Sequence, residues 1–276
     1  MNRSSLDTAT LAGIADESLA ALDAQQQVTP FSARIDGFSL ADAYRVATDV
    51  RARRAARGER PLGRKIGFTN RTIWAEYDVW APIWATVYDS TVQRLSGADA
   101  HFSLDRMIEP RIEPEIVFGL AHAPQPGMDD AALLGCIDWI AHGFEIVQSI
   151  YPGWKFTAAD TVAAFGLHGA LLIGQPSSLG SDRAAWLAAL SSFQITLSCD
   201  GEEADRGEAT NVLGGPLSAL RHLVELLAQD AAQPPLTAGE IVTTGTLTRA
   251  LPIARGERWQ TALEGVALPG LDVSFD

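Results

Sequence analysis

Residues 111–120 read Arg-Ile-Glu-Pro-Glu-Ile-Val-Phe-Gly-Leu, and this stretch limits the possible folds more than any other. Strand side chains alternate between two faces, so Ile112, Pro114, Ile116, Phe118 and Leu120 form one apolar face. The odd positions gather Arg111, Glu113, Glu115 and Val117 on the other. Two carboxylates side by side on a strand repel each other unless water, a proton or a cation separates them. A fold that keeps this strand therefore supplies a core on one side and a charge partner on the other. On an exposed strand that partner is Arg106 or Arg111; in a pocket it is a metal ion.

Glu145 adds a third carboxylate, entering a second predicted strand over 144–150 directly after a predicted amphipathic helix over 128–143. Three carboxylates on neighbouring strands make a hard, oxygen-rich site suited to Mg²⁺ or Mn²⁺, with coordination positions left for water and substrate. Lysine is scarce: Lys65 and Lys155 are two of the 21 basic residues, the rest being arginine. Lys65 lies in the segment Gly-Arg-Lys-Ile-Gly, where it offers a cation to an anionic substrate or sits as a solvated strand-end residue. A desolvated lysine can change its protonation state, which arginine cannot. Lys155 and Asp160 lie in 151–163, either a loop over a pocket leading into a short helix capped near Thr157, or a plain connection. Thr246, in the Thr-Thr-Gly-Thr-Leu run at 243–247, belongs to a strand end whose hydroxyls and bare backbone N–H groups can hold a carboxylate or simply turn the chain. His168 is either packed or catalytic. No Ser/His/Asp set, Gly-x-Ser-x-Gly elbow or phosphate-binding glycine loop is legible.

The 276 residues, 47% hydrophobic and 20% charged, suffice for one large domain with a substantial core. A net charge of −13 disfavours nucleic acid, and the basic run at 51–60 reads as a solvated face. No run reaches the roughly 18 apolar residues that a membrane span needs. Cys136 and Cys199 are far apart and match no zinc spacing or disulfide framework, and the first twenty residues lack the apolar core of a secretion signal. A reducing cytoplasm is expected.

Apolar spacing predicts helices over 5–27 and 38–57, the second capped by Ser39, so that residues 1–60 form a helical portion ahead of a catalytic domain over 61–276. Further on come a short strand at 62–68, a helix opening at Thr69, and strands at 111–120, 144–150, 169–174, 193–202, 239–247 and 271–276. A helix over 215–229 has Pro216 in its first turn. The interleaving is too irregular for a βαβ alternation and indicates an α+β fold.

Taken in order, GRKIGFTN, RIEPEIVFGL, FEIVQS, WKFTAADTVA and AGEIVTTGTLT resemble the 2-oxo-4-pentenoate hydratase and 4-oxalocrotonate decarboxylase group of the fumarylacetoacetase-like superfamily, from about residue 40 to the C-terminus. The resemblance implies a mixed β-roll with peripheral helices and an N-terminal helical portion, assembled as a homo-oligomer. It assigns Mg²⁺ or Mn²⁺ to Glu113, Glu115 and Glu145. It gives Lys65 proton transfer or carboxylate binding, and sets Lys155 and Asp160 at the pocket edge. Arg64, Trp80 and Thr246 are the candidate substrate-binding residues. The implied reaction is addition of water to a 2-oxo-4-enoic acid through a metal-stabilised enolate. The alternatives are decarboxylation or C–C hydrolysis of a related keto acid, or a non-catalytic small-acid-binding homologue. Two segments depart from the family pattern on the substrate side. Trp80 stands where an acid is expected, and residues 163–169 offer Phe165, Gly166 and His168 in place of an amide and a hydroxyl, making His168 a candidate acid/base.

Overall fold

The computed structural model describes residues 6–96 and 100–276, and it gives the chain fourteen strands and seven helices among them. The strands are β1 (Pro61–Gly67), β2 (Ile83–Tyr88), β3 (Val92–Arg94), β4 (Ala100–Phe102), β5 (Arg111–Leu120), β6 (Ile137–Val147) and β7 (His168–Ile173). They continue with β8 (Ser177–Ser178), β9 (Gln194–Cys199), β10 (Glu202–Glu208), β11 (Ile241–Thr243), β12 (Leu251–Pro252), β13 (Arg258–Glu264) and β14 (Asp272–Phe275). The helices are α1 (Thr8–Ala24), α2 (Leu40–Ala56), α3 (Trp74–Tyr77), α4 (Asp130–Gly135), α5 (Ala158–Ala163), α6 (Arg183–Leu190) and α7 (Pro216–Ala228). A mixed sheet runs β2-β1-β11-β5-β6-β7-β3, and a smaller one runs β10-β9-β13-β14-β4.

The apolar face read from β5 is the inner wall of the fold. Ile116, Phe118 and Leu120 pack against Leu217, Leu220, Leu223 and Val224 of α7. Ile112, with Phe144 and Ile146 of β6, packs on Leu197, Trp259 and Val273 of the small sheet. Each such fully buried side chain contributes roughly 1.5–3 kcal/mol relative to exposure. The opposite face is apolar too beyond the glutamates, where Val117, Ala141, Leu171 and Ile241 cluster. The main sheet curls over this second face, so the carboxylate row of β5 looks into the protein.

The helical arm packs inward. Ile14, Leu19, Phe31, Val46 and Val50 share one cluster with Tyr151, Val162 and Ala163. Ser39 caps α2 in a reciprocal pair with Asp42, and Pro216 opens α7. The basic run at 51–60 is paired off: Arg53 with Asp49 and Asp16, Arg54 with Glu59, Arg57 with Asp23, and Arg60 with Asp89. Among the described residues, no helix is long and apolar enough to cross a membrane.

The sequence misleads most at 128–143. The helix there is only α4, capped by Asp129, and Ile137 already opens the eleven-residue strand β6. From Ile140 onward both faces of β6 are buried, so its side chains show no clean two-residue alternation. Pairing with β5 along nearly its whole length decides the outcome. The strand expected over 239–247 ends at Thr243, because Gly245 turns the chain with φ +90°. The helix expected at Thr69 is a short turn capped by Asn70 running into the single-turn α3. Strands β2 and β13 and helix α6 carry no reading in the sequence analysis.

Candidate metal centre

The register of two strands assembles the acids. Glu113 on β5 lies directly opposite Glu145 on β6, and Glu115 lies one pleat further along, opposite Gly143. Residues paired across a ladder share a face, and so do residues two apart on one strand. One carboxylate oxygen from each of the three glutamates falls within 4.8 Å of the others. Lys65 reaches the same face from β1, where its paired neighbour is Thr243 of β11, which in turn pairs with Val117 of β5. Its Nζ stands 3.1 Å from Glu145 Oε2 and donates to the carbonyl of Gly166 at 3.0 Å.

Glycines make two of these contacts possible. The N–H of Gly245 donates to Glu115 Oε2 at 2.8 Å. A Cβ at position 245 would fall 1.8 Å from Thr69 Oγ1, and its φ of +90° already favours glycine. At Gly166, φ is +61° and a Cβ would come within 2.7 Å of the Ala85 Cβ. The bare N–H read from 243–247 thus holds a carboxylate of the protein itself.

The electrostatics describe a site built around a missing positive charge. Glu115 and Glu145 are fully buried, and Glu115 Oε1 and Glu145 Oε2 lack a hydrogen-bond partner among the described residues. The Lys65 ammonium is close to Glu145 Oε2 as a charge without lying on a hydrogen-bonding line to it. Burial and the charge of Glu145 push Glu113 up to about 7, although Lys65 pulls it down. Burial and the two neighbouring glutamates raise Glu115 well above the ordinary carboxylate range. Glu145 is held down at about 2, because Lys65 and His168 outweigh its burial. Burial works against the charge on Lys65, but the carboxylates, Glu145 foremost, keep its pKa above the ordinary value. Two bare buried oxygens and a third carboxylate at the cleft wall fit a small hard cation.

From this centre a cleft opens, with Lys65, Glu113 and Thr246 at its polar end. Its walls are apolar, including Phe68, Ile73, Trp154, Phe156 and Leu167. Phe68, Trp154 and Leu167 have φ of 53°, 58° and 63°, a left-handed conformation that bulky side chains adopt only under constraint.

The structure brings Glu113, Glu115, Glu145, Lys65 and Thr246 together, puts His168 behind Glu145, and sets Arg64, Trp80, Lys155 and Asp160 apart. Arg64 points to the other side of β1, because neighbours on a strand alternate, and pairs with Glu240 at 3.3 Å. Trp80 is 61% exposed and donates from its indole to Asp78. Lys155 is exposed and does not line the cleft. The Asp160 carboxylate accepts from Ser32 N and Oγ and from Thr157 N and Oγ1, which makes it a clasp between the arm and α5 rather than a free acid. His168 is 3% exposed with both ring nitrogens engaged, one by Glu145 and one by Thr91. It stands behind a carboxylate instead of facing a substrate. The sequence analysis missed Thr91 and the aromatic wall of Phe68 and Trp154. The long-range contacts that give them their places carry no local signal.

A curled mixed sheet thus carries a buried carboxylate triad and a lysine at the head of an apolar cleft, a donor set suited to a divalent cation. No family model matches the sequence. The chain is 31% identical over 251 residues to a 2-hydroxyhexa-2,4-dienoate hydratase of Comamonas testosteroni, covering 89% of this chain and 90% of that protein. It is 29% identical over 230 residues to a 4-oxalocrotonate decarboxylase of Pseudomonas sp. (strain CF600), covering 83% of each. The solved 4-oxalocrotonate decarboxylase from Pseudomonas putida G7, complexed with magnesium and adipate, superposes over 100% of both chains with a TM-score of 0.88 at 25% identity. A fumarylpyruvate hydrolase from Pseudomonas aeruginosa, at 16% identity and a TM-score of 0.54 over 77% of this chain and 88% of that one, shares the fold. The chain belongs to the family of 2-oxo-4-pentenoate hydratases and 4-oxalocrotonate decarboxylases, and it is an enzyme of the lyase type.

Proposed function

We propose that this protein is a divalent-metal-dependent hydratase that adds water to a 2-oxo-4-enoic acid presented as its 2-hydroxydienoate. The observation that carries the reading is the pair of bare buried oxygens on Glu115 and Glu145 beside Glu113 and a charged Lys65, at the head of an apolar cleft. Glu113, Glu115 and Glu145 would hold Mg²⁺ or Mn²⁺, which when bound supplies a Lewis acid for the carboxylate and keto oxygens of a 2-oxo acid.

The chain's own groups then divide the work. Lys65 Nζ gives one N–H to Gly166 O and faces Glu145 Oε2 with its charge, so it retains a donor for a substrate oxygen or carbon. Because its surroundings keep it protonated, it enters the reaction as a proton source rather than as a base. Thr246 Oγ1 donates to Thr248 O and keeps lone pairs that can accept from a substrate hydroxyl or the adding water. The apolar walls orient the diene and exclude bulk water, leaving the adding molecule in place at C4.

The proposal includes a homo-oligomer in a reducing cytoplasm; Cys136 and Cys199, both free, support the second part. Turnover with Mg²⁺ and a panel of 2-hydroxydienoates tests the reading: a 4-hydroxy-2-oxo acid is expected. Release of CO₂ as the main product would move the assignment to the decarboxylase alternative, which the 0.88 superposition supports. A cleaved C–C bond would indicate a hydrolase. No turnover of any substrate, with Mg²⁺ bound, would indicate the small-acid-binding homologue.

A further inference from the structure

The two fully buried carboxylates are held in the same way, by different means. Each has one oxygen tied by a backbone or ring N–H and one that is not. For Glu115 the tie is the Gly245 backbone N–H to Oε2 at 2.8 Å, and Oε1 is bare. For Glu145 the tie is His168, whose Nδ1 lies 2.7 Å from Oε1, while Oε2 faces only the Lys65 ammonium, 3.1 Å away. A carboxylate can only accept here, so the proton is on Nδ1. The other ring nitrogen, Nε2, lies 2.9 Å from Thr91 Oγ1. Thr91 sits in the turn after β2, and its hydroxyl donates to the carbonyl of Tyr88 at 3.0 Å, which fixes where its oxygen stands. The ring is therefore gripped at both nitrogens and cannot swing away from Glu145.

We infer that His168, braced by Thr91, is a positioning residue that makes Glu145 a one-oxygen donor and so sets which cation the centre prefers. The inference rests on the carboxylate centre holding a divalent cation. Mg²⁺ and Mn²⁺ need a compact shell of single oxygens, whereas Ca²⁺ readily takes both oxygens of a carboxylate in a larger, looser shell. With His168 in place, two-oxygen donation by Glu145 would cost the Nδ1–H bond. Without it, Oε1 of Glu145 is released from that bond and the wider shell becomes available.

The test is cation binding by the unreacted protein, measured as Mn²⁺ affinity by paramagnetic resonance with Ca²⁺ as competitor, in four forms. His168→Phe removes the tie while keeping a flat ring. It should weaken Mn²⁺ binding by roughly ten- to a hundredfold and Ca²⁺ binding by less, so that the preference for Mn²⁺ shrinks. His168→Asn places an amide N–H where Nδ1–H stands and should restore most of the preference. Thr91→Val, which leaves the ring but removes its brace, should fall between. A His168→Phe protein that melts like the unaltered one and keeps its Mn²⁺-to-Ca²⁺ preference would overturn the inference. Equal losses for both cations that His168→Asn does not rescue would do the same, indicating a purely structural ring. If the unaltered protein binds no Mn²⁺, the cation reading itself fails and this inference falls with it.

Discussion

The two ends of the cleft are built differently. The carboxylate centre stands on strands, where Glu113 faces Glu145 across a ladder and Lys65 arrives two strands away through Thr243. The rim stands on irregular segments, where Phe68, Trp154 and Leu167 are held in left-handed backbone by their surroundings. At the centre, strand register alone fixes how far apart the functional groups lie. At the rim, each position depends on contacts made from elsewhere in the chain. Loops can therefore change the substrate end without moving the cation end.

The largest expected contrast is Lys65→Met against any rim change. Removing this ammonium should lower kcat by about 10²–10⁴ without weakening Mn²⁺ binding, since a positive charge leaves the site. A tenfold or greater loss of Mn²⁺ affinity would show instead that Lys65 holds the carboxylates in place. Next in size is the cation's own contribution. Saturating Mn²⁺ at a hundred times its Kd should stabilise the fold by about 2.7 kcal/mol, seen as a rise in Tm that chelation reverses and Glu115→Gln abolishes. The same rise in Glu115→Gln would put the ion elsewhere.

Asp160→Asn probes the rim's clasp. Loss of its charged acceptor should cost about 1–3 kcal/mol in a denaturant titration, while kcat per folded molecule stays near that of the unaltered enzyme. A large fall in kcat with unchanged stability would return Asp160 to the chemistry.

His142 offers a contrast in pH. Burial holds its pKa at about 4 against an ordinary 6.5, although the Glu115 carbonyl that accepts its Nδ1–H works the other way. With the folded pKa depressed, the unfolded chain binds the proton first. The stability from a neutral His142 is therefore complete above pH 6.5 and is lost as pH falls toward about 4. The raised Glu113 and Glu115 carboxyls act in the opposite direction in the metal-free protein, so the loss is read as the difference in thermal melts between the unaltered protein and His142→Gln. The unaltered protein should lose Tm relative to that variant as pH falls across that window. The smallest effect belongs to Lys155→Ala: an exposed lysine away from the cleft walls should leave KM and kcat within about twofold, in keeping with the ~0–1 kcal/mol worth of exposed charges.

The legibility of the site follows the same division. Glu113 and Glu115 could be placed on one face from their spacing alone, because a strand has only two faces. Glu145 was singled out from its place in the sequence and lies opposite Glu113, although the helix expected to run up to it stops at Gly135 and its strand begins at Ile137. Thr157 was read as a cap, and it does cap α5, but with Asp160 as the reciprocal partner. That pairing is what withdraws Asp160 from the cleft. Arg64 was a candidate for substrate binding, yet its place next to Lys65 on β1 sends it to the opposite face.

The sequence by itself determined the alternation of β5, the caps of α2 and α7, the acidic row and the isolated Lys65, all properties of residues near one another along the chain. The tertiary structure alone decided that Glu145 stands opposite Glu113, that Gly245 and His168 each tie one carboxylate oxygen, and that a strained aromatic wall closes the cleft. The physical reason is distance along the chain. A strand's period is fixed by the geometry of its own peptide units. The partner of a buried charge is whichever group folding brings to it, here from 130 residues away for Gly245 and 23 for His168.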